Sequence, residues 1–108
     1  MIPIKLKTGV NLFGIRPEIL FAVNVAAPIW EANGATELVV TSCVDGTHSR
    51  SSRHYSGLAL DLRTSNLPGG YDGAAAHTCT QELISALTNQ FDVVLESDHI
   101  HVEYDPER

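Results

Sequence analysis

FDVVLESDHIHVEY, residues 91–104, has the pattern of two strands joined by a tight connection at residues 96–98. Because the side chains of a strand alternate between its two faces, His99, His101 and Glu103 should share one face. The residues between them are apolar and suit the core side of a sheet. This stretch therefore predicts an antiparallel hairpin with two imidazoles on its open face.

Two earlier segments also have the patterns of strands. ELVVTSC, residues 37–43, has the β-branched content of a buried strand. GLALDLR, residues 57–63, alternates strictly, with leucines on one face and two small residues beside Asp61 on the other. The small residues leave open space in front of the carboxylate, so Asp61 should face a cavity.

Two further segments have helical patterns. Pro17 suits a first helical turn and Gly34 a stop, so residues 18–33 should form a helix that Pro28 kinks or divides. Asp72 can cap a second helix. The apolar residues of that second helix recur at spacings of three and four and form one stripe: Ala76, Cys79, Leu83, Ile84 and Leu87.

These elements predict an α+β fold in which two helices cover a mainly antiparallel sheet. A chain of 108 residues suits a single domain, which we place at residues 1–108. The composition is 44% hydrophobic and 19% charged, as in soluble proteins, and no apolar run approaches the roughly 20 residues of a membrane helix. We expect a soluble monomer without membrane insertion.

Charge and cysteine content restrict the partners and the cellular compartment that we expect for the protein. A net charge of −6, with no dense basic run apart from Arg50 and Arg53, argues against a nucleic-acid partner. Cys43 and Cys79 could pair, but a single possible bridge is weak support for an oxidising compartment. We expect both to be buried thiols.

Histidine and aspartate side chains in this pattern suit a zinc ion. Catalytic zinc takes three protein ligands and keeps a fourth position for water. Residues 54 and 61 would lie roughly 23–25 Å apart in an extended chain, so His54 and Asp61 can share a metal only if the chain turns between them. Ser56 and Gly57 can supply that turn. Paired histidines on a strand are nevertheless more often solvated or hydrogen-bonded, and spacing alone leaves both interpretations open.

Two motifs resemble a known superfamily. SSRHYSGLALD, residues 51–61, resembles the Ser-x-His-(x)6-Asp segment of the D-alanyl-D-alanine carboxypeptidase and hedgehog superfamily of zinc peptidases, and DHIH, residues 98–101, resembles its second motif. The resemblance spans residues 39–105 and implies a hedgehog/DD-peptidase-like fold. It also implies that His54, Asp61 and His101 are the three Zn²⁺ ligands. Asp98, three residues before His101, would be the catalytic acid.

The segment VTSCVDGTHSRSSRHYSGLALDLRT, residues 40–64, is most similar to hedgehog and small phage peptidases. These proteins carry a further histidine six residues before the first ligand, which implies that His48 lies near the zinc-bound water and stabilises the oxyanion. Hedgehog proteins place their acid elsewhere in the last motif, so Glu96 is an alternative to Asp98. The three-residue spacing favours Asp98.

Residues 41–44 depart from the carboxypeptidase pattern, which often has Ser-Gly-Tyr-Arg there, and the usual substrate-binding arginine is therefore in doubt. Arg50 and Arg53 flank the predicted site and could clamp a peptide carboxylate by bidentate hydrogen bonds. Solvated loop arginines are an equally good interpretation.

The resemblance implies a zinc metallopeptidase that hydrolyses an amide bond in a peptidoglycan stem peptide, as a D,D-carboxypeptidase or an L-alanyl-D-glutamate endopeptidase. Asp98 would be the general base. A non-catalytic, zinc-stabilised hedgehog-like binding module is the alternative, and a hydrolase of a different amide is a third hypothesis. Residues 1–10 show no secretory signal, so we expect the protein to be made in the cytoplasm. The resemblance implies an endolysin-like phage product that is released to the cell wall during lysis.

Overall fold

Five strands form one mixed sheet in a computed structural model, which describes residues 1–44 and 56–106. The strands are β1 (Ile4–Leu6), β2 (Leu38–Ser42), β3 (Ala59–Arg63), β4 (Phe91–Leu95) and β5 (His99–Tyr104). They lie in the order β1-β2-β3-β5-β4, and only the β1–β2 pair is parallel. The predicted α+β class and mainly antiparallel sheet are confirmed.

Two helices, α1 (Pro17–Ala32) and α2 (Ala74–Leu87), cover one face of this sheet. The core lies between them and the sheet and includes Trp30, Leu62 and Val102. Short 3₁₀ turns, Gly70–Asp72 and Thr88–Gln90, precede and follow α2. Neither helix is long and apolar enough to cross a membrane, in the part of the chain that the structure describes.

Pro28 was predicted either to kink the first helix or to divide it, and it does not divide it. Its ring removes one helical hydrogen bond, since proline has no backbone N–H. The helix nevertheless continues because Ala26, Ala27 and Trp30 are all buried around the proline and hold this turn against the core. The predicted start at Pro17 and stop before Gly34 are correct.

Two details predicted for the second helix are wrong. Gly73, not Asp72, is its N-cap, and the Asp72 carboxylate instead lies 2.9 Å from His77 Nε2. Ile84 is 42% exposed, and Thr80 is buried in the stripe in its place. At 100° per residue Ile84 lies roughly 80° from the middle of the stripe, which explains its exposure. The Thr80 hydroxyl is satisfied because it donates to the Ala76 carbonyl at 2.8 Å.

The C-terminal hairpin has the predicted strands, and its connection is closed by a hydrogen bond from Glu96 N to His99 O at 2.8 Å. β5 also pairs with β3, so that His101 lies opposite Asp61 and His99 lies opposite Arg63. This pairing positions the site described below.

Cys43 and Cys79 are fully buried thiols that form no disulfide with each other, as predicted. Burial raises the pKa of the Cys79 thiol to about 12, and the nearby Glu82 carboxylate adds to this shift. Cys79 is therefore protonated at neutral pH and unsuited to ligate a metal.

Candidate functional site

The site is built on the face of the sheet that is turned away from the helices. Ile100 and Val102 of β5 are fully buried in the core, so the alternate residues His99, His101 and Glu103 lie on the opposite face. Directly paired cross-strand residues have Cβ atoms about 5 Å apart, which brings Asp61 of β3 beside His101. The predicted alternation along this strand is confirmed.

His101 lies between two carboxylates. Its Nδ1 atom is 3.1 Å from Asp61 Oδ1, and its Nε2 atom is 2.9 Å from Glu103 Oε1. Asp61 is only 8% exposed, so its charge is poorly solvated. The hydrogen bond to Asp61 is the main cause that raises the pKa of His101 to about 9; burial opposes the shift and Glu103 adds to it.

Asp61 and His101 fit a zinc site in donor type and spacing. Ligands about 2.1 Å from a tetrahedral zinc lie about 3.4 Å from one another, close to the 3.1 Å that separates Asp61 Oδ1 and His101 Nδ1. Glu103 holds the second ring nitrogen, and such outer carboxylates fix the ring orientation of metal-binding histidines. Both residues could therefore ligate a metal ion such as zinc.

A third ligand for this pair is not found in residues 1–44 and 56–106. No group of three histidine, cysteine or acidic side chains in these ranges includes both Asp61 and His101 with its ligand atoms all within 4.8 Å. The predicted third ligand, His54, lies outside the described residues, as do His48, Arg50 and Arg53. Their roles stay predictions.

The turn that His54 would need is present. Ser56 and Gly57 form a turn just before β3, and Gly57 has a left-handed backbone with φ +73°. A Cβ atom at this position would lie 2.2 Å from the Gly14 carbonyl oxygen. The backbone of the turn thus packs so closely against the N-terminal segment that only glycine fits.

A second histidine, His99, lies between Asp98 and Asp61. Asp98 Oδ1 is 2.5 Å from His99 Nδ1, and His99 Nε2 is 3.6 Å from Asp61 Oδ1. Asp98 and Asp61 line the same pocket, whereas Glu96, although 3.7 Å from His99, lines a neighbouring one. This geometry favours Asp98 over Glu96 as the acid beside the site. Sequence reasoning gave His99 no role, although its alternation with His101 was the available signal.

The pocket is open and has a volume of about 320 Å³. It is lined by side chains of both charges and by neutral hydroxyls: Lys7, Thr41, Asp61, Arg63, Ser65, Tyr71, Asp98 and His99. Arg63 was missed as a site residue, although it is two positions after Asp61 on the same strand face. Lys7 could not be found from the sequence, because its position depends on the parallel pairing of β1 with β2.

A second group of acidic side chains, also missed, could hold a metal ion. The carboxylates of Asp92, Glu103 and Asp105 are half-buried, and their ligand atoms lie within 4.8 Å of one another. An all-oxygen donor set of this kind suits magnesium, calcium or manganese and does not select zinc. Such clusters are common without an ion, and Glu103 is already engaged with His101.

The two motifs thus contribute neighbouring groups: the first supplies Asp61, and the second supplies His101 and Asp98. The described part of the first motif begins only at Ser56. No protein-family model matches the chain and no curated protein matches it, so the resemblance to the zinc peptidases rests on these motifs and stays a prediction.

Proposed function

We propose that the chain binds one zinc ion through His54, Asp61 and His101 and hydrolyses an amide bond in a peptidoglycan stem peptide. The reaction would be of the D,D-carboxypeptidase or L-alanyl-D-glutamate endopeptidase type. The observation that carries the proposal is the 3.1 Å approach of Asp61 Oδ1 and His101 Nδ1, at the edge of a pocket that Asp61 lines together with Asp98.

The chemistry divides between the metal and the protein. Zinc in such a site lowers the pKa of water to about 7 and polarises the scissile carbonyl. Asp98 takes the proton from the attacking water and delivers it to the leaving amine. His99, with its proton on Nδ1, donates to Asp98 and holds that carboxylate in place. His48, outside the described residues, would donate to the oxyanion.

Metal binding must displace a proton from His101. The pKa of about 9 means that this imidazole is mostly cationic at neutral pH in the metal-free protein. Only neutral imidazole ligates zinc, so binding releases a proton. The Glu103 carboxylate, which accepts from Nε2, would then hold the neutral ring in the orientation that a metal needs.

Metal analysis tests the ligand set directly. Protein purified without chelator should contain close to one equivalent of zinc, and His54→Ala or Asp61→Ala should remove most of it. His77→Ala is the matched control, because His77 lies on α2, outside the pocket, and pairs with Asp72. Equal zinc contents in all four proteins would rule out the proposed ligands.

A zinc-stabilised binding module is the second candidate, and the exposure of Asp98 favours it. The Asp98 side chain is 67% exposed, which is unusual for a general base that works in a water-excluded site. Turnover of a stem peptide, measured for the unmodified protein and for Asp98→Asn, separates the two candidates. A peptidase should lose at least about 100-fold in turnover of a stem peptide while it keeps its zinc. A module should show no turnover even in the unmodified protein.

A further inference from the structure

Two cations, Arg63 and Lys7, line the same pocket as the candidate metal ligand Asp61 in a protein of net charge −6. Arg63 is half-buried and Lys7 is exposed. Neither forms an ion pair with another residue of the described ranges. Lys5, two residues before Lys7, is by contrast paired with Glu37 at 3.1 Å.

The strand order explains why these cations line one pocket. The amide of Lys7 donates to Val40 O at 2.9 Å, which continues the β1–β2 pairing by one residue. Arg63 lies on the next strand, opposite His99. The pocket therefore crosses the adjacent strands β1, β2, β3 and β5. Lys7 lies at one side, Arg63 lies in the middle, and Asp98 lies at the other side, in the connection just before β5.

The acidic groups of the pocket do not neutralise these cations. Asp61 is engaged by His101 and Asp98 by His99, both through short contacts between a ring nitrogen and a carboxylate oxygen. Among residues 1–44 and 56–106, no carboxylate pairs with the guanidinium or ammonium group, so both groups can bind an anion from outside the chain. Arginine forms paired hydrogen bonds with a carboxylate, and lysine adds a point charge.

We propose that Arg63 and Lys7 bind a free α-carboxylate on the substrate residue that supplies the leaving amine. This inference rests on the proposed function, because it places the carboxylate beside the zinc ligands. Arg63 follows Asp61 by two residues, about 7 Å along the strand. Adjacent Cα atoms of a peptide are about 3.8 Å apart, so the α-carboxylate of the leaving residue lies within a few ångströms of the scissile bond. The long arginine side chain can span the difference between this distance and the roughly 7 Å along the strand.

This carboxylate has two possible sources. It is the chain terminus when a peptidase removes the last residue, or the α-carboxylate of a glutamate that continues the chain through its γ-carboxyl group. A residue inside an ordinary α-linked peptide has no such group. The subsite therefore selects against ordinary internal peptide bonds and sets substrate specificity.

Binding to metal-free protein tests the subsite separately from catalysis. N-acetyl-D-alanine is titrated into chelated, ¹⁵N-labelled protein, and its amide serves as the uncharged comparison. We expect the carboxylate to bind at least tenfold more tightly than the amide. Arg63→Gln should weaken its binding by about 10-fold to 100-fold, and Lys7→Gln by a smaller factor. Lys5→Gln, with the same charge change outside the pocket, should have no effect.

The arginine variant should fold, because the contact that Arg63 makes with the core uses its backbone: Trp30 Nε1 donates to the Arg63 carbonyl at 3.2 Å. Arg63→Lys is a second variant and should recover part of the affinity. Equal binding of the acid and the amide, unchanged binding by Arg63→Gln, or tighter binding of inorganic phosphate than of the carboxylate would overturn the inference.

Hydrolysis assays on the zinc-loaded protein then identify the source of the carboxylate. One peptide ends in D-alanyl-D-alanine, and the other contains an L-alanyl-γ-D-glutamyl linkage with an amidated C-terminus. Cleavage of the first assigns the chain terminus, and cleavage of the second assigns the glutamate carboxylate. Equal cleavage of a peptide whose α-carboxylate is amidated would overturn the subsite. If N-acetyl-D-alanine binds as expected but no peptide is cleaved, the proposed function is refuted instead.

Discussion

At the scale of the residue, His101 shows how one side chain can serve a folded protein in two protonation states. Asp61 and Glu103 accept from its two ring nitrogens when the ring is cationic. The neutral ring that a metal requires is held in the same place by Glu103. A zinc ion bound as proposed would therefore compete with a proton for Nδ1.

This competition predicts that zinc affinity depends on pH. Because the pKa of His101 in the metal-free protein is about 9, affinity should rise about tenfold per pH unit from pH 6 to pH 8.5. Glu103→Gln removes one carboxylate, lowers this pKa and should make the dependence level off at lower pH. Competition with a chelator of known affinity measures both proteins. An affinity that does not change between pH 6 and pH 8.5 would contradict the interpretation.

The raised pKa also predicts how the metal-free protein responds to pH. A histidine whose folded-state pKa exceeds its unfolded value contributes stability below the unfolded pKa of 6.5, and this stability is lost as the pH rises through about 9. The free energy of unfolding of chelated protein should therefore fall by about 1–3 kcal/mol between pH 6 and pH 9. Urea unfolding at each pH measures it, and Glu103→Gln should show a smaller fall.

At the scale of the element, the sequence patterns predicted where the strands that bear the site begin and end. They predicted less well which strands lie beside them. Residues 91–104 alternate apolar and polar side chains, and both strands of this hairpin lie where the pattern predicts. β1 was missed although Ile4, Lys5 and Leu6 alternate apolar and charged side chains, because the strand has only three residues and all of them are exposed. Its position depends on parallel pairing with β2, which local sequence does not encode.

The same reasoning explains the site. Alternation placed Asp61 and His101 on open strand faces, and the superfamily resemblance marked Asp98. The contributions of Lys7, Arg63 and His99 to one pocket follow from the strand order β1-β2-β3-β5, which no local pattern reveals. The predicted ligand His54 lies outside the described residues, so its role still rests on the resemblance.

Gly57, in the turn before β3, offers a test of the element that positions Asp61. Gly57→Ala would place a Cβ atom 2.2 Å from the Gly14 carbonyl oxygen at φ +73° and should destabilise the fold by about 2–4 kcal/mol. Gly9→Ala is the control, since φ is +93° there but no atom lies within 4 Å of the added Cβ. It should cost about 1 kcal/mol. Equal losses in thermal stability would contradict the packing described here.

At the scale of the whole molecule, a zinc ion bound by His54, Asp61 and His101 as proposed would connect the middle of the sheet to the segment before β3. Ligand binding that is restricted to the folded state stabilises that state by mass action. Removal of the metal should therefore lower the stability of the entire domain as well as its activity.

The predicted size of this effect is measurable by thermal unfolding. Free zinc at 100 times its dissociation constant contributes about 2.7 kcal/mol, which corresponds to a rise of about 10 °C in Tm for a domain of this size. Chelator should reverse the rise, and His101→Ala should not respond to zinc. An identical response of His101→Ala and the unmodified protein would place the stabilising ion elsewhere, for example at the Asp92, Glu103 and Asp105 carboxylates.

Trp30 has a practical consequence for such measurements. It is the single tryptophan of the chain, it is fully buried, and its indole nitrogen is bonded to the backbone of β3 two residues beyond Asp61. Its fluorescence should therefore be blue-shifted in the native protein and free of contributions from other indoles. Any rearrangement that moves this strand relative to α1 would alter the emission, so the protein carries its own optical reporter close to the site.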